Sequence, residues 1–340
     1  MDRLYDFNNS KRLHNVYGGA NGKKIPVMYE GESLILKTHG KAKRNPRIEY
    51  SNSCVSEYLG SHIFQLFDIP VQKTRLGYYD IAGKRQIVVA CTNFLSNDEE
   101  LRDFAFVKNI VVDSETEGHD TELSEIQNTI FSQDVINPEI VEKRFWDMFV
   151  VDALIGNWDR HNGNWGLIYN KSYDEMRLAP VFDNGSCLYP QADSKVMMSA
   201  LTDEQEQDKR IFLIPTSAIK INGRKLNYFD FMTHTDNDAF ANSFKTIFEK
   251  VNLEKINRLI DETPVIDDLQ KSFYKLMLNK RFEKIFIPTM NHVKSLSKSR
   301  NVNENHSLSR FESIDSKIQR ATKNSFTEYD DRLNNRSHYR

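Results

Sequence analysis

Two short clusters of polar side chains stand close together between Ile155 and Gly185. The first cluster contains Asp159, Arg160, His161 and Asn164, and the second is Asp183-Asn184-Gly185. Carboxylate and amide oxygens suit Mg²⁺, and a separate carboxylate can accept the proton of an attacking hydroxyl group. A plain hydrophobic core has no need of these groups in this order. The spacing therefore predicts phosphoryl transfer, with Asp159 as the base and with Asn164 and Asp183 as metal ligands.

A candidate phosphate site lies nearer the N-terminus, in a glycine-rich turn. The turn consists of Gly18, Gly19, Ala20, Asn21 and Gly22. Glycine lets backbone N–H groups approach phosphate oxygens, and an ammonium group such as that of Lys37 is a common phosphate partner. Glu57, on the next predicted helix, can hold Lys37 toward the phosphates. Each feature alone is more often structural, but their order along the chain favours a nucleotide site.

His161 is open to two interpretations. It could be a base or a metal ligand, or it could be a hydrogen-bonding imidazole that braces the loop or Asp183. We favour the bracing role, because Asp159, Asn164 and Asp183 already supply the base and the ligands.

The hydrophobic pattern predicts how these residues are positioned. Alternation predicts strands over 25–29, 33–37, 71–79 and 86–91, and apolar spacing predicts a helix over 52–68. The later chain is expected to hold helices at 101–112, 124–131, 138–155, 240–251, 253–260 and 266–287, with a hairpin at 165–182 and an ordered loop at 187–198. We predict an α+β protein with a β-rich lobe (1–95), a mostly helical lobe (96–290) and a polar, flexible tail (291–340).

Composition narrows the function classes. The formal net charge of the 340 residues is −2, which gives no reason to expect nucleic acid or a membrane as partner. Cys54, Cys91 and Cys187 are far apart, which favours a reducing compartment and disfavours structural zinc. The polar N-terminus and the absence of an apolar run of about 20 residues predict a cytoplasmic protein without a membrane span. We expect a monomer.

The motifs resemble a known family. In GNWDRHNGNWG the Arg-His pair follows the aspartate, as in the HipA-like kinases and the phosphatidylinositol 3/4-kinases, whereas common eukaryotic protein kinases place His-Arg before it. With YGGANGKK, CVSEY and APVFDNG, the chain is identified as a member of the HipA-like serine/threonine kinases over roughly residues 10–290. The resemblance implies a two-lobed protein-kinase-like fold and an ATP- and Mg²⁺-dependent kinase whose protein substrate includes itself.

The resemblance also implies roles for individual residues. Lys37 corresponds to the nucleotide lysine and Glu57 to its helix partner, while Thr92 and Phe94 correspond to the adenine-binding connection. Asp159 corresponds to the base, and Asn164 and Asp183 to the metal ligands. The second motif reads Asp-Asn-Gly rather than Asp-Phe-Gly and no Ala-Pro-Glu follows it, so we do not expect activation-loop control. Candidate autophosphorylation sites are Ser295, Ser297, Ser307, Ser309, Ser313 and Ser316. The resemblance also allows delivery into a host cell.

Three other functions remain open at this point. A lipid kinase on the same fold is permitted by the Asp-Arg-His-x-x-Asn order. A pseudokinase that only binds partners is disfavoured by the presence of Lys37, Asp159, Asn164 and Asp183. A binuclear metallophosphoesterase would need an early Asp-x-His together with later histidines that fill two metal sites, and the sequence shows no such set.

Overall fold

The computed structural model describes residues 4–13, 24–41, 49–112 and 116–300. The strands are β1 (Tyr5–Asp6), β2 (Lys11–Arg12), β3 (Lys24–Tyr29), β4 (Glu32–Thr38), β5 (Gly40–Lys41), β6 (Glu49–Tyr50), β7 (Thr74–Ile81), β8 (Lys84–Thr92), β9 (Glu99–Asp103), β10 (Gly166–Asn170), β11 (Glu175–Leu178), β12 (Lys220–Ile221) and β13 (Arg224–Lys225). The helices are α1 (Ser53–Gln65), α2 (Phe104–Val112), α3 (Leu123–Ser132), α4 (Pro138–Ile155), α5 (Ser194–Thr202), α6 (Glu204–Asp208), α7 (Tyr228–His234), α8 (Asp238–Lys250), α9 (Leu253–Glu262), α10 (Asp268–Arg281) and α11 (Ile287–Arg300). Short π-helical segments follow α6 and α10.

The small lobe is a twisted sheet with one helix packed on it. Its strand order, among the described residues, is β1-β7-β8-β4-β3-β2, and only the β1–β7 pair is parallel. Side chains alternate between the two faces of a strand, so Leu34 and Leu36 enter a small outer cluster while Lys37 lies on the opposite face. Helix α1 packs against β7 and β8. The expected β-rich lobe with one helix is confirmed.

The large lobe is organised around α4. Every residue of this helix from Phe145 to Ile155 is buried, and α8 and α10 pack against it. The helix begins at Pro138, preceded by Asn137, whose side chain accepts a hydrogen bond from the Glu139 N–H group. It ends at Gly156, which has the left-handed conformation (φ 65°) that glycine adopts without strain. The predicted buried helix and its glycine stop are confirmed, and the loop that carries Asp159 follows directly.

The predicted hairpin after that loop is also confirmed, as β10 and β11. A third strand, β9, pairs with β10. The predicted helix over 101–112 is wrong at its start, because residues 99–103 form this strand and the helix begins only at Phe104. Residues 99–103 are extended because they pair with β10, which lies more than sixty residues later in the sequence, and local patterns do not reveal such a partner.

Two further expectations were wrong. Residues 194–202 form helix α5 rather than a loop, because Asp193 caps the helix by accepting a hydrogen bond from the Val196 N–H group. Residues 291–300 were expected in the flexible tail, yet they continue helix α11, with Met290 and Val293 buried against the core. Residues 301–340 lie outside the described residues. Within the described part, no helix has the length and apolar character needed to cross a membrane.

Candidate active site

The centre of the cleft is a cluster that joins the two lobes, formed by Lys37, Glu57 and Asp183. The Lys37 ammonium nitrogen lies 3.0 Å from Oε2 of Glu57 and 2.9 Å from Oδ1 of Asp183. Glu57 is buried on α1, and its Oε1 accepts a hydrogen bond of 3.1 Å from the backbone N–H of Asn184. Residues that we singled out in different parts of the sequence therefore meet at one point. We call them the cleft cluster.

The charges of the cleft cluster reinforce one another. Burial alone would favour the neutral amine of Lys37, but the carboxylates of Asp183 and Glu57 outweigh burial and raise its pKa well above the ordinary value. Burial alone would raise the pKa of Asp183, but the Lys37 ammonium outweighs burial and the pKa of Asp183 is lowered. At neutral pH, Lys37 is therefore protonated and Asp183 is ionised, which are the forms that phosphate and Mg²⁺ bind.

Lys24 is a cleft residue that the sequence interpretation missed. It lies directly opposite Lys37 in the β3–β4 pair, so the two side chains share one face of the sheet. Its positive charge also contributes to the lowered pKa of Asp183. The available signal was the short β3–β4 hairpin, whose register places Lys24 and Lys37 side by side. The glycine-rich turn of residues 18–22, which immediately precedes β3, lies outside the described residues.

The segment Asp183-Asn184-Gly185 is held tightly beneath α1. Asp183 has a left-handed backbone (φ 58°), which is uncommon for a residue other than glycine and is typical of functional sites. The segment can approach α1 because Gly60 has no side chain. A Cβ at Gly60 would lie 2.8 Å from Cβ of Asn184 and 2.8 Å from Sγ of Cys187. A glycine at this helical position is therefore needed for packing.

Asp159 stands on the loop between α4 and the single 3₁₀ turn Asn162–Asn164. Its backbone is fixed on both sides, since its N–H donates to Oδ1 of Asn157 (3.1 Å) and its carbonyl accepts from Nδ2 of Asn164 (2.8 Å). Its carboxylate, in contrast, accepts no hydrogen bond from the described residues. Burial is the main cause of the raised pKa of Asp159, and the negative charge of Asp183 adds to it. Such a carboxylate is suited to receive a proton.

His161 makes a structural contact within the same loop. Its Nδ1 accepts a hydrogen bond of 3.0 Å from the N–H of Gly163 and so caps the 3₁₀ turn. This bond supports the bracing interpretation, because that nitrogen is already engaged.

Arg160 is the anchor beneath the loop, and its importance was not foreseen. Its guanidinium group bonds both oxygens of the buried Asp152, at 2.9 and 3.2 Å. It also donates to the carbonyls of Asn164 and Phe182 and to Oδ1 of Asn184. We call Asp152, Arg160 and Asn184 the buried cluster. The signal was present in the sequence, because a buried charge such as Asp152 inside an apolar helix requires a partner.

The proposed adenine connection follows β8. Both main-chain groups of Thr92 are used inside the small lobe, since its N–H donates to the Lys73 carbonyl (2.9 Å) and its carbonyl accepts from Nε2 of Gln72 (3.0 Å). The Phe94 ring lies 5.9 Å from the ring of Phe182. The Phe94 N–H has no hydrogen-bond partner among the described residues. Within the described part of the chain, the main-chain donor of Phe94 is therefore available, whereas that of Thr92 is not.

A small β-rich lobe whose Lys37 and Glu57 meet Asp183 of a helical lobe is the arrangement of the protein-kinase-like class. The comparisons with known proteins specify the family. The chain belongs to the HipA-like family, because residues 16–264 match the HipA-like C-terminal domain. It is 41% identical over 270 residues to the serine/threonine-protein kinase CtkA of Helicobacter pylori, covering 79% of this chain and 82% of that protein.

The fold comparison agrees. A crystal structure of the Helicobacter pylori proinflammatory kinase CtkA superimposes with a TM-score of 0.81 at 38% identity. The match covers 87% of this chain and 99% of that chain. The predicted α+β, two-lobed fold and the resemblance to HipA-like kinases are therefore confirmed.

Proposed function

We propose that the protein is an ATP- and Mg²⁺-dependent serine/threonine protein kinase that also phosphorylates itself. The observation that carries the proposal is the cleft cluster, in which Lys37 is held by both Glu57 and Asp183, while the negative charge of Asp183 acts on the carboxylate of Asp159. The relative that is 41% identical is a serine/threonine-protein kinase, which supports the serine/threonine specificity.

Binding of ATP is assigned to the small lobe. Lys37 supplies a fixed positive charge for the phosphates, and Lys24 on the same face of the sheet adds a second one. We assign the glycine-rich turn, Gly18 to Gly22, to the phosphates as well. The free N–H of Phe94 is assigned to the adenine edge, with Thr92 supporting that connection from inside the sheet.

The residues present fit Mg²⁺. Asp183 is ionised, and only one of its oxygens is engaged with Lys37. Asn164 uses its amide nitrogen to bond the Asp159 carbonyl, and its Oδ1 accepts no hydrogen bond from the described residues. Both free atoms are hard oxygens, which is the donor type that Mg²⁺ takes. When bound, the ion would neutralise phosphate charge in the transition state.

Asp159 is assigned as the base. As a serine or threonine hydroxyl oxygen bonds to the γ-phosphorus, its proton passes to the Asp159 carboxylate, and the bond to the leaving ADP oxygen breaks. Arg160 and His161 do not enter this step. They hold the loop so that the carboxylate stays in place.

Among the candidate autophosphorylation sites, Ser295 and Ser297 lie on α11. Their hydroxyls donate to the carbonyls of His292 (2.7 Å) and Val293 (3.0 Å). Because both hydroxyls are engaged within the helix, we favour the later serines, which lie outside the described residues.

The test is transfer of labelled phosphate from ATP with Mg²⁺. We expect label on the chain itself and on a protein substrate, and none in Asp159→Ala or Asp183→Ala. A parallel arm supplies inositol lipid vesicles. Label in lipid but not in protein would replace this proposal with a lipid kinase, and equal labelling by the variants would refute the site.

A further inference from the structure

A short basic hairpin lies beside the catalytic loop, and the assignments above leave it without a role. It comprises β12, its turn and β13, residues 220–225. Both ends of the hairpin segment are attached to the start of the loop. Before it, Pro215 packs against Gly156, where an added Cβ would lie 3.3 Å from Cγ of Pro215. After it, the Tyr228 hydroxyl donates to the Asn157 carbonyl.

A second attachment runs through residues 118–122. Asn162 of the catalytic loop donates from Nδ2 to the carbonyls of Gly118 and Asp120, at 2.8 Å each. On the other side of this segment, the carboxylate of Glu122 accepts hydrogen bonds from the N–H groups of Asn222 (2.7 Å) and Gly223 (3.0 Å) at the turn of the hairpin. The basic hairpin is therefore fixed relative to Asp159 and does not behave as a loose surface loop.

Two cations of the hairpin are not neutralised by the described residues. Lys220 and Lys225 are directly opposite in the pair, an arrangement of like charges that weakens strand pairing. Lys220 is neutralised by Asp120, with Nζ 2.7 Å from Oδ1. Arg224 and Lys225 are exposed and have no ion-pair partner among the described residues. Lys225 lies on the side of the hairpin that is attached to the catalytic loop, because its cross-strand neighbour Lys220 pairs with Asp120, whose carbonyl accepts a hydrogen bond from Asn162.

The acceptor hydroxyl of a substrate has to reach Asp159, and the hairpin is fixed beside the loop that carries Asp159. Acidic neighbours of that hydroxyl would be repelled by Asp159, by Asp183 and by the phosphates of ATP. Fixed cations at the entrance offset this repulsion, and they repel basic segments instead.

We propose that Lys225, together with Arg224, determines acceptor specificity by binding a carboxylate next to the phosphorylated serine or threonine of an acidic protein segment. This inference rests on the proposed kinase function. The inference also ranks the candidate autophosphorylation sites in the tail. Ser313 stands between Glu312 and Asp315 and is favoured, whereas Ser309 is followed by Arg310 and is disfavoured.

The test compares two peptides that span residues 308–320 with Ser309 replaced by Ala. One keeps Glu312 and Asp315, and the other carries Lys at both positions. With the full chain as enzyme, we expect the acidic peptide to be preferred about two- to fivefold in kcat/KM, the range of an exposed ion pair. Lys225→Gln should remove the preference through the KM of the acidic peptide, and Lys225→Glu should invert it. Lys84→Gln, at an exposed hairpin position of the small lobe, is the matched control and should keep the preference.

The outcomes are distinguishable. Equal use of both peptides by the wild type overturns the inference. A rise in the KM for ATP in Lys225→Gln, or an equal loss for both peptides, also overturns it and places Lys225 at the nucleotide. If a carrier protein is labelled but neither peptide is, the proposed role of Lys225 is also overturned. No label on any protein refutes the kinase function itself. Thermal unfolding of Lys225→Gln beside Lys84→Gln checks that the fold is unchanged.

Discussion

The cleft cluster contains Asp183, and the buried cluster contains its neighbour Asn184. The two clusters differ in how many of their hydrogen-bonding groups are already engaged and in how exposed their side chains are. Arg160 uses all five of its N–H donors, and the side chains of Arg160 and Asp152 are only 6% and 1% exposed. In the cleft cluster, the side chains of Lys37 and Asp183 are 17% and 36% exposed, and Oδ2 of Asp183 accepts no hydrogen bond from the described residues. A saturated, buried cluster fixes the backbone, whereas a half-open one can bind a ligand.

The largest effect on stability is expected at Arg160. Arg160→Met leaves the buried Asp152 carboxylate without its cation, which costs about 3–5 kcal/mol in similar buried pairs. Urea unfolding measures the loss. Lys37→Met is the comparison variant, and we expect it to lose less stability because Lys37 is partly solvated. Equal losses would contradict the distinction between the two clusters.

Gly60 tests the packing that brings both clusters together. Gly60→Ala places a methyl group 2.8 Å from Asn184 and Cys187, and we expect a loss of about 1–3 kcal/mol from overpacking. Phosphate transfer should fall as well, because Asp183 moves with its neighbour. Unchanged stability and activity would show that the segment is free to shift.

His161 should have a smaller effect, because its contact is local. His161→Ala removes the acceptor for the Gly163 N–H, and loss of a cap of this kind costs about 1 kcal/mol. His161→Asn keeps an acceptor and should recover most of the stability and the activity. If His161→Asn is as inactive as Asp159→Ala, the imidazole takes part in the chemistry and the bracing role is wrong.

The smallest expected effect is a shift in the pKa of Asp159. The pKa of Asp159 is raised, so the acid limb of the kcat/KM profile should lie above pH 3.8, the ordinary value, and activity should fall as Asp159 is protonated. Replacing Asp183 by Asn removes a neighbouring negative charge, so the pKa of Asp159 should move down. Carboxyl NMR titration of both proteins measures this shift, and an upward shift would contradict the account.

Local patterns in the sequence were sufficient for much of the fold. The buried run Phe145–Ile155 and its glycine stop predicted α4, and two apolar runs around a polar turn predicted the hairpin after Asp159. Features that depend on distant partners were not accessible. Strand β9 exists because it pairs with β10, and the link from Arg160 to Asn184 crosses the whole hairpin. The pairing of Arg160 with Asp152, eight residues earlier, is the local part of that cluster and could be inferred from a buried charge in an apolar helix.

In the candidate site, too, residue type and order were predictable, whereas contacts set by the fold were not. Lys37, Glu57 and Asp183 were selected by residue type and order, and they meet within 3.0 Å. Lys24 was missed because only the strand register places it beside Lys37. Lys225 was missed because its hairpin reaches the catalytic loop through Asn162 and residues 118–122, a route that no spacing in the sequence indicates.

The most direct test of the central claim measures nucleotide binding and phosphate transfer on one variant, Asp159→Asn. The Asp159 carboxylate makes no hydrogen bond with the described residues, so the variant should fold normally and bind ATP with Mg²⁺ within about twofold of the wild type. Its single-turnover transfer should fall at least about 100-fold, the usual minimum for loss of a general base. Transfer within about threefold of the wild type, with binding intact, would show that Asp159 is not the base.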